Sequence, residues 1–551
     1  MRDAVGTIYS SRSFLAFQRG AAVLSVALAA ALALADGEIG PRGPNTGVQV
    51  NVDDDQRNIV GDAANEPSIC VDRTRPNRLA IGWRQFNTVA SNFREAGYAY
   101  SRDAGRTWRF PGTLRPGQFN SDPVLRSDSA GRFYYLSLPP GLNALQLYRS
   151  DDGGATWSAP SEFQGGDKAW MAIDDTGGVG DGNIYTYWSR FFGCCESQVF
   201  SRRVEGQATF EPPLAFPPLG EAIYGTLAVD RYGILYTIGI STTGNTGVWR
   251  VNRSDTARDP DSDVIFHPPM DVNFGGYLRS GTPSINPGGL LGQSHVVIDR
   301  SAGDRDGWIY LLASIWLAPA ETDRMDVNLL RSTDGGQTWS NIIKVGDNPP
   351  EVPAFQWFGT LSVAPNGRLD VIWYDTRVDA LPMQPDNSAL FYSSSADGAD
   401  TWTPPVQLSP AFGHRVGFPQ QNKLGDYIDM YSDNVGVGIA YAATHNGEQD
   451  VWFYRVGDYD CNGNGIGDLQ DIAAGLESDL NGNGNPDRCE CIGDIDRDLR
   501  IGLADLAALL AGFGLCSGAP TFESASDLDA NECVDLGDLA LLLSGFGPEC
   551  P

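Results

Sequence analysis

Acidic, basic and aromatic side chains recur at one point of a repeated segment, where a short apolar strand is predicted to begin. The segment occurs seven times, and its copies start 46 to 69 residues apart. The residues at this point are Glu66, Asp122, Lys168, Tyr224, Gln293, Phe358 and Tyr427. Carboxylates can transfer protons, and a tyrosine can attack once a base takes its proton. This combination is typical of a site that acts on a carbohydrate.

Further candidates precede these residues or end the strands that follow them. Asp167, Trp357 and Asp426 directly precede three of the seven. We predict that Glu66 and Tyr427 form an activated pair, that Asp122 is the acid/base, and that Arg84 and Arg377 bind an acidic group of the substrate, because Arg grips carboxylates with two parallel hydrogen bonds. The predicted substrate-binding residues are Lys168, Arg190, Tyr224, Trp357, Trp373 and Asp426. For any one residue, a structural hydrogen bond is the alternative.

The last 95 residues have a different chemistry, with 19 Asp and Glu against three Arg. Four loops place oxygen-bearing side chains at positions 1, 3, 5 and 12, the spacing of a calcium loop. A disordered acidic tail is the alternative. The predicted Ca²⁺ ligands are Asp460, Asn462, Asn464, Asp468 and Asp471 in loop one, Asp479, Asn481, Asn483, Asp487 and Glu490 in loop two, Asp494, Asp496, Asp498 and Asp505 in loop three, and Asp527, Asp529, Asn531, Asp535 and Asp538 in loop four.

The spacing of the seven apolar segments predicts the blades of a β-propeller. Each segment usually ends in Asp and is followed by a turn and a second apolar strand. Small residues such as Ser68, Ala172 and Ala228 suit an innermost strand, where blades converge on the axis. We therefore predict an all-β fold of seven four-stranded blades, with six blades as the alternative. Residues 47–52 should supply the fourth strand of the last blade and close the ring.

A second motif has the pattern Ser-x-Asp-x-Gly-x-Thr-Trp and occurs at residues 101–108, 150–157 and 332–339. A weaker copy at 395–402 has Ala399 in place of Gly. Asp and Ser can bond the backbone amides of a tight turn, in which Gly accepts a positive φ. The motif resembles the Asp-box, or BNR repeat, of the sialidase-like β-propellers. In that family the box is structural and lies away from the active site.

The resemblance to sialidases also implies a set of catalytic roles. Sialidases use three Arg on the substrate carboxylate, an Asp acid/base, and a Tyr nucleophile activated by Glu. Arg84, Arg190 and Arg377 could form such a triad, with Asp122 as the acid and Tyr427 as the nucleophile. The family's Phe-Arg-Ile-Pro motif does not occur near the first predicted blade, which argues against exo-α-sialidase activity.

The third and fourth acidic loops each lead into an apolar helix, spelled LAALLAGFG after Asp505 and LALLLSGFG after Asp538. This duplicated loop and helix resembles a type I dockerin over residues 494–547. The first two loops resemble the calcium repeats of thrombospondin type 3 modules. These resemblances imply bound Ca²⁺ and a cohesin-like or cell-surface protein as partner. Leu499 and Glu532 stand where Gly is usual, which bears on calcium affinity and on cohesin recognition.

The N-terminus predicts secretion. Arg12 and Arg19 precede the apolar run 21–34, and Ala33-Leu-Ala35 is a small-residue cleavage site. A single membrane anchor is the alternative; no span is expected after signal cleavage. Six of the nine Cys lie within the last 95 residues, which suggests disulfides formed in an oxidising compartment. The net charge of −30 argues against nucleic acid as a partner.

The predicted organisation has four parts: a signal peptide at 1–35, an Asp-box propeller at 36–456, calcium-binding repeats at 457–491 and a dockerin-like module at 492–551. Three classes of function fit it. The first is a secreted glycoside hydrolase or lyase acting on complex or acidic glycans and tethered through its tail. The second is a non-catalytic extracellular propeller that binds glycan or protein. The third is a structural module of an extracellular assembly.

Overall fold

The structure is a computed structural model that describes residues 44–217, 223–241, 247–317, 325–346, 353–381, 384–496 and 500–547. The predicted signal peptide lies outside these residues. Within them, no helix is both long enough and apolar enough to cross a membrane.

Seven antiparallel four-stranded sheets form the blades of a β-propeller, so the prediction of seven blades is confirmed and the six-bladed alternative is wrong. Blade one contains β2 (Ala63–Val71), β3 (Leu79–Phe86), β4 (Glu95–Ser101) and β5 (Arg109–Thr113). Blade two contains β6 (Ser121–Ser127), β7 (Phe133–Leu138), β8 (Ala144–Ser150) and β9 (Ser161–Gln164). Blade three contains β10 (Trp170–Ile173), β11 (Ile184–Tyr187), β12 (Gln198–Arg203) and β13 (Leu214–Ala215).

The remaining blades follow the same order from the axis outward. Blade four contains β14 (Leu227–Val229), β15 (Leu235–Ile240), β16 (Trp249–Ser254) and β17 (Met270–Val272). Blade five contains β20 (His295–Ile298), β21 (Ile309–Trp316), β22 (Met325–Ser332) and β23 (Ile343–Val345). Blade six contains β24 (Gln356–Val363), β25 (Leu369–Asp375), β26 (Asn387–Ser395) and β27 (Val406–Gln407), with β28 (Phe412–Gly413) also paired to β26. Blade seven contains β29 (Asp429–Ser432), β30 (Gly436–Ala443) and β31 (Asp450–Gly457).

Blade seven is completed by the first described strand of the chain. Strand β1 (Val48–Gln49) pairs antiparallel with β31, and Val48 lies opposite Phe453. The predicted closure by residues 47–52 is therefore confirmed. Asn51 strengthens this closure, because its Nδ2 donates to Asp450 Oδ1 at 2.6 Å and its Oδ1 accepts from the Val451 N–H at 2.9 Å.

The Asp-box turns are held as the sequence predicts. Ser101 Oγ donates to Asp103 Oδ1 at 2.7 Å and accepts from the Gly105 N–H at 2.8 Å. Asp103 also accepts from the N–H and the hydroxyl of Thr107. Ala399 has a φ of 76° and keeps the same turn in the weaker copy. These turns join the third and fourth strands of a blade, and thus lie at the end of the propeller opposite the starts of the inner strands.

A hairpin inserted between blades four and five crosses towards blade seven. It consists of β18 (Ser280–Thr282) and β19 (Ile285–Leu290). Asn286 Nδ2 donates to the Gly425 carbonyl at 2.8 Å, and its Oδ1 accepts from the Leu424 N–H at 2.8 Å. The Leu290 N–H donates to Asp426 Oδ1 at 2.8 Å. The hairpin therefore fixes the loop that carries Asp426.

The described part of the acidic tail contains three short α-helices: α1 (Asp468–Ala474), α2 (Leu503–Gly512) and α3 (Leu536–Ser544). Two 3₁₀ turns span Asp487–Cys489 and Ser524–Ser526. Disulfides join Cys461 to Cys489 and Cys516 to Cys533. The first disulfide packs in the same apolar cluster as Trp108 of the first Asp-box, so packing crosses the predicted boundary at residue 457.

Candidate functional site

The starts of the inner strands have an unusual backbone. Five of these residues have φ between 50° and 59°, a backbone conformation that non-glycine residues rarely adopt: Glu66, Asp122, Lys168, Tyr224 and Phe358. In blades one, two and six, the pairing of the first two strands shifts register at this point. Such bulges re-aim side chains. In these three blades the repeat that the sequence revealed is thus a bulge, and in blades one and two it directs Glu66 and Asp122 into the ion pairs at the mouth of the central channel.

Seven charged side chains from blades one, two, three and seven meet at this mouth, and we call them the mouth cluster. Its members are Glu66, Arg84, Asp122, Asp167, Lys168, Lys423 and Asp426.

Opposite charges alternate through the mouth cluster. Arg84 Nη1 lies 3.1 Å from Glu66 Oε1, and Lys423 Nζ lies 2.8 Å from the same oxygen. Lys423 also contacts Asp426 at 2.6 Å, and Asp426 is bonded to Lys168. Burying charged groups costs free energy, because they lose their contacts with water. Stabilisation of the fold alone therefore does not explain a buried network of this kind.

The two carboxyls beside Lys168 differ in proton affinity. Lys168 Nζ lies 3.4 Å from Asp122 Oδ2 and 3.6 Å from Asp167 Oδ1, and the two carboxyls share a hydrogen bond. Burial opposes ionisation of Asp122, but Lys168 and the Asp167 hydrogen bond hold its pKa well below its usual value. Burial and the Asp122 charge raise the pKa of Asp167 to about 7, against the pull of Lys168. Separated pKa values in one carboxyl pair are typical of acid/base sites.

Only part of the mouth cluster reaches solvent. The Asp167 side chain is 20% exposed and that of Lys168 is 12% exposed, whereas Glu66, Arg84, Asp122 and Asp426 are buried. Tyr224 is half-buried, and its pKa is raised by burial and by the nearby Asp167 and Asp426. Arg190 is half-buried, with its guanidinium 4.9 Å from the Phe191 ring centroid. A substrate therefore meets Asp167, Lys168, Tyr224 and Arg190 first.

The structure gives the predicted activated pair different partners from those expected. The Tyr427 hydroxyl donates to the Pro123 carbonyl at 2.7 Å, and burial raises the pKa of Tyr427 well above its usual value. A phenol with a raised pKa is a poorer nucleophile. Glu66 is fully buried between Arg84 and Lys423, and burial raises its pKa against those two cations. Arg84 is fully buried with Glu66, so here it holds Glu66 rather than a substrate acid.

Three other predicted residues serve the packing of blade six. Trp357 and Trp373 are fully buried, and their indoles donate to Ser388 Oγ and Asp375 Oδ2. Neither ring offers a face to a sugar in this structure. Arg377 Nη2 donates to Asp375 at 2.6 Å and to the Gly346 carbonyl at 2.9 Å. Strand patterns cannot distinguish a ring that lines a channel from one packed between blades.

One member of the mouth cluster, Lys423, was not among the candidate residues, and Asp167 was a candidate with no predicted role. Asp167 directly precedes Lys168, and Lys423 lies three residues before Asp426. Both are charged residues close in sequence to a predicted one, which could have singled them out. The ring residue Gln293 is buried, and its side-chain amide has no hydrogen-bond partner among the described residues. Such an amide commonly binds ordered water or a ligand hydroxyl.

Two cavities lie away from the mouth. One of about 530 Å³ lies along the channel and includes Trp170, His295 and Arg126. Burial lowers the pKa of His295 to about 4, so that imidazole is neutral at ordinary pH. The other, of about 1040 Å³, separates the first Asp-box from the tail. The mouth cluster remains the candidate site for chemistry, because its adjacent carboxyls Asp122 and Asp167 have pKa values shifted in opposite directions.

The acidic loops bring most of their predicted ligands together. Oxygens of Asp494, Asp496 and Asp505 lie within 4.8 Å of one another, as do those of Asp527, Asp529 and Asp538. Asn462 and Asn464 both donate to Asp471, whose other oxygen is buried without a hydrogen-bond partner among the described residues. Asn481 and Asn483 contact Glu490 in the same way. Clustered oxygen ligands of this kind fit a hard cation such as Ca²⁺.

The other predicted ligands play different parts. Asp460 and Asp479 accept backbone N–H groups within their own loops. Asp468 accepts from Arg106 and from the Cys461 N–H, and Asp487 accepts from the Leu480 N–H. Asp535 caps α3, and Asn531 donates to it at 3.4 Å. Asp498 lies outside the described residues.

Comparison with known proteins supports the repeat. Residues 148–159 and 330–341 match the BNR/Asp-box repeat family. A xyloglucanase from Paenibacillus sp is 25% identical over 333 residues, which cover 54% of this chain and 29% of the relative. The chain therefore spans less than a third of that relative's length.

Two solved structures are similar to parts of this chain. A protein of unknown function from Dyadobacter fermentans matches with a TM-score of 0.43 and 15% identity, over 76% of this chain and 98% of the other. The phage phi92 endosialidase matches with a TM-score of 0.42 and 12% identity, over 76% of this chain and 70% of the other. Similarities of this size carry no argument about activity.

Proposed function

We propose that the protein is a secreted, glycan-active propeller that hydrolyses complex or acidic glycans with Asp167 as its proton donor. The carboxyl pair of Asp122 and Asp167 carries the proposal, because Asp167 is partly exposed and its pKa of about 7 leaves about half of it protonated at neutral pH, where a general acid works best. Weak sequence similarity to a xyloglucanase supports a glycan as the substrate class.

The neighbours of Asp167 suit it to this role. Asp167 gives its proton to the glycosidic oxygen as the bond to the sugar carbon breaks. Water supplies the hydroxyl to that carbon, and its remaining proton restores Asp167. After proton transfer, the new carboxylate lies beside ionised Asp122, and the Lys168 ammonium at 3.6 Å offsets the repulsion. Lys168 and Arg190 would also attract acidic sugars.

The test of this proposal is a turnover assay on a panel of neutral and acidic polysaccharides, with release of reducing ends as the measurement. Asp167→Asn should lower turnover at least 100-fold while leaving the unfolding temperature close to that of the wild type. Asp54→Asn, the same change at an exposed site, is the matched control. Undiminished turnover in Asp167→Asn would eliminate Asp167 as the proton donor.

A non-catalytic glycan- or protein-binding propeller is the second candidate. The observation that favours it is the burial of Glu66, Arg84 and Tyr427, which leaves few reactive groups at the surface of the mouth. Binding of a glycan without turnover of any member of the panel would support this alternative.

We further propose that the tail tethers the protein through Ca²⁺-dependent contacts with a cohesin-like or cell-surface protein. The clustered loop oxygens and the disulfides Cys461–Cys489 and Cys516–Cys533 support an extracellular, calcium-loaded module. Capture of the full chain on an immobilised cohesin in Ca²⁺ but not in EDTA would support the tether. No capture in Ca²⁺ would argue against this partner.

A further inference from the structure

An apolar surface adjoins the mouth cluster in the loop between β11 and β12. The side chains of Phe191 and Phe192 are 54% and 45% exposed. Two residues further on, Cys194 and Cys195 form a disulfide between neighbouring positions. Exposed apolar side chains scattered singly are ordinary, but a contiguous group beside polar residues marks a binding surface. We call Phe191, Phe192 and this disulfide the Phe-Cys rim.

The Phe-Cys rim is bonded through its backbone to the segment that carries Asp167. The Asp167 N–H donates to the Phe192 carbonyl at 2.6 Å, and the Asp167 carbonyl accepts from the Ser189 N–H at 3.0 Å. The Cys194 N–H donates to the Gly165 carbonyl at 3.0 Å. These bonds fix the rim and the proposed proton donor relative to each other.

Glycine permits this close approach. Gly166 and Gly193 form an isolated bridge between the two segments. A Cβ on Gly166 would lie 2.5 Å from the Gly193 Cα, and one on Gly193 would lie 2.7 Å from the Gly166 Cα. Any larger residue at either position would push the two segments apart.

The disulfide closes a turn of unusual backbone conformation after the two phenylalanines. Cys195 and Glu196 have φ of 73° and 56°, a conformation that non-glycine residues rarely hold without support. Cys194 packs in part against the apolar core between the blades. The Arg190 guanidinium lies 4.9 Å from the Phe191 ring centroid, which places a positive charge on the rim.

We infer that the Phe-Cys rim is a subsite for one pyranose ring of an acidic glycan, adjacent to the ring whose bond Asp167 protonates. Aromatic rings and an apolar disulfide offer flat surface to the C–H face of a sugar, and Arg190 binds a carboxylate on that ring. This inference rests on the proposed function of the mouth, and it names the sugar class that the site selects.

The experiment measures binding of the full-length protein to an array of neutral and uronic-acid oligosaccharides. Wild-type protein is expected to retain uronic-acid members. The Phe191→Ala/Phe192→Ala variant should bind them at least tenfold more weakly, and both rings are exposed, so its unfolding temperature should stay close to that of the wild type. Tyr232→Ala, an exposed aromatic at the opposite end of the propeller, is the matched control.

The variants also separate this inference from the proposed hydrolysis. Asp167→Asn should retain binding and lose turnover, and Cys194→Ser/Cys195→Ser should bind several-fold more weakly. Binding by the phenylalanine variant that equals wild type, or retention of no array member by wild-type protein, would overturn the subsite. Weakened binding by that variant, with no turnover by wild type, would keep the subsite and remove the hydrolase.

Discussion

Asp167 and Asp122 show how neighbouring residues of the same type acquire different chemistry. Asp122 is buried against Lys168 and stays ionised, whereas Asp167 is partly exposed and holds its proton near neutral pH. The difference arises because one negative charge beside Lys168 makes a second one unfavourable. The pair therefore titrates as a unit, and its higher apparent pKa sets the pH above which Asp167 no longer holds the proton that it donates.

The pH dependence of turnover follows from this pair. Activity that needs protonated Asp167 should fall as pH rises through about 7. Asp122→Asn removes the neighbouring charge, so the pKa of Asp167 should decrease and the alkaline limb should move to lower pH by about one unit. Profiles of kcat/KM from pH 4 to 9 measure the shift. An alkaline limb that does not move would show that Asp122 does not influence the acid.

At the scale of elements, the first acidic loop is part of the propeller's packing as well as of the tail. Arg106 of the first Asp-box contacts Asp468 at 2.9 Å, and the Cys461–Cys489 disulfide packs with Trp108. Residues 457–491 are therefore not an appendage independent of blade one. Calcium removal should consequently lower the unfolding temperature of the propeller as well as loosen the tail.

Each acidic loop should bind its own Ca²⁺, so a mutation in one loop should remove one bound ion. Asp527→Ala removes one of three carboxylates that lie within 4.8 Å of one another in loop four. Calorimetric titration of the full chain should then show one bound Ca²⁺ fewer than in the wild type. Glu523→Ala, an exposed acidic residue outside the four loops, should leave the number unchanged. Equal numbers in wild type and Asp527→Ala would show that loop four binds no calcium.

The blades were predictable because each repeats a local pattern, whereas the site depends on distant contacts. Inner strands, Asp-boxes and closure by residues 47–52 follow from periodicity and turn chemistry. The ring positions Asp122 and Lys168 were predicted, and they do meet. The partners of Glu66 and Tyr427 were not predictable, because Lys423 and the Pro123 carbonyl reach them across blades. Strand alternation also left open which tryptophans pack between blades.

At the scale of the whole molecule, closure of the ring involves two buried acids. Asn51 Nδ2 lies 2.6 Å from Asp450 Oδ1 and 3.5 Å from Asp62 Oδ2. Burial raises the pKa of Asp450 to about 7 and that of Asp62 to about 6. From about pH 4 upward the folded protein keeps protons that the unfolded chain has released, so the free energy of unfolding falls until about pH 7.

A mutation of Asp450 tests whether its ionisation causes this loss of stability. Asp450→Asn can keep its hydrogen bond with Asn51 but cannot ionise, so it should reduce the loss of stability between pH 5 and pH 8. Urea unfolding at the two pH values measures the difference, and Asp54→Asn should behave as the wild type does. An undiminished pH dependence in Asp450→Asn would mean that Asp450 releases its proton equally in both states.

The attachment of the first acidic loop to an Asp-box turn has a consequence for orientation in space. The Asp-box turns lie at one end of the propeller axis, and the mouth cluster lies at the other. A partner that grips the tail would therefore hold the mouth facing outward, one propeller height from the point of anchorage. A protein tethered in this way would bind glycans from the surrounding solution rather than glycans of the surface to which it is anchored.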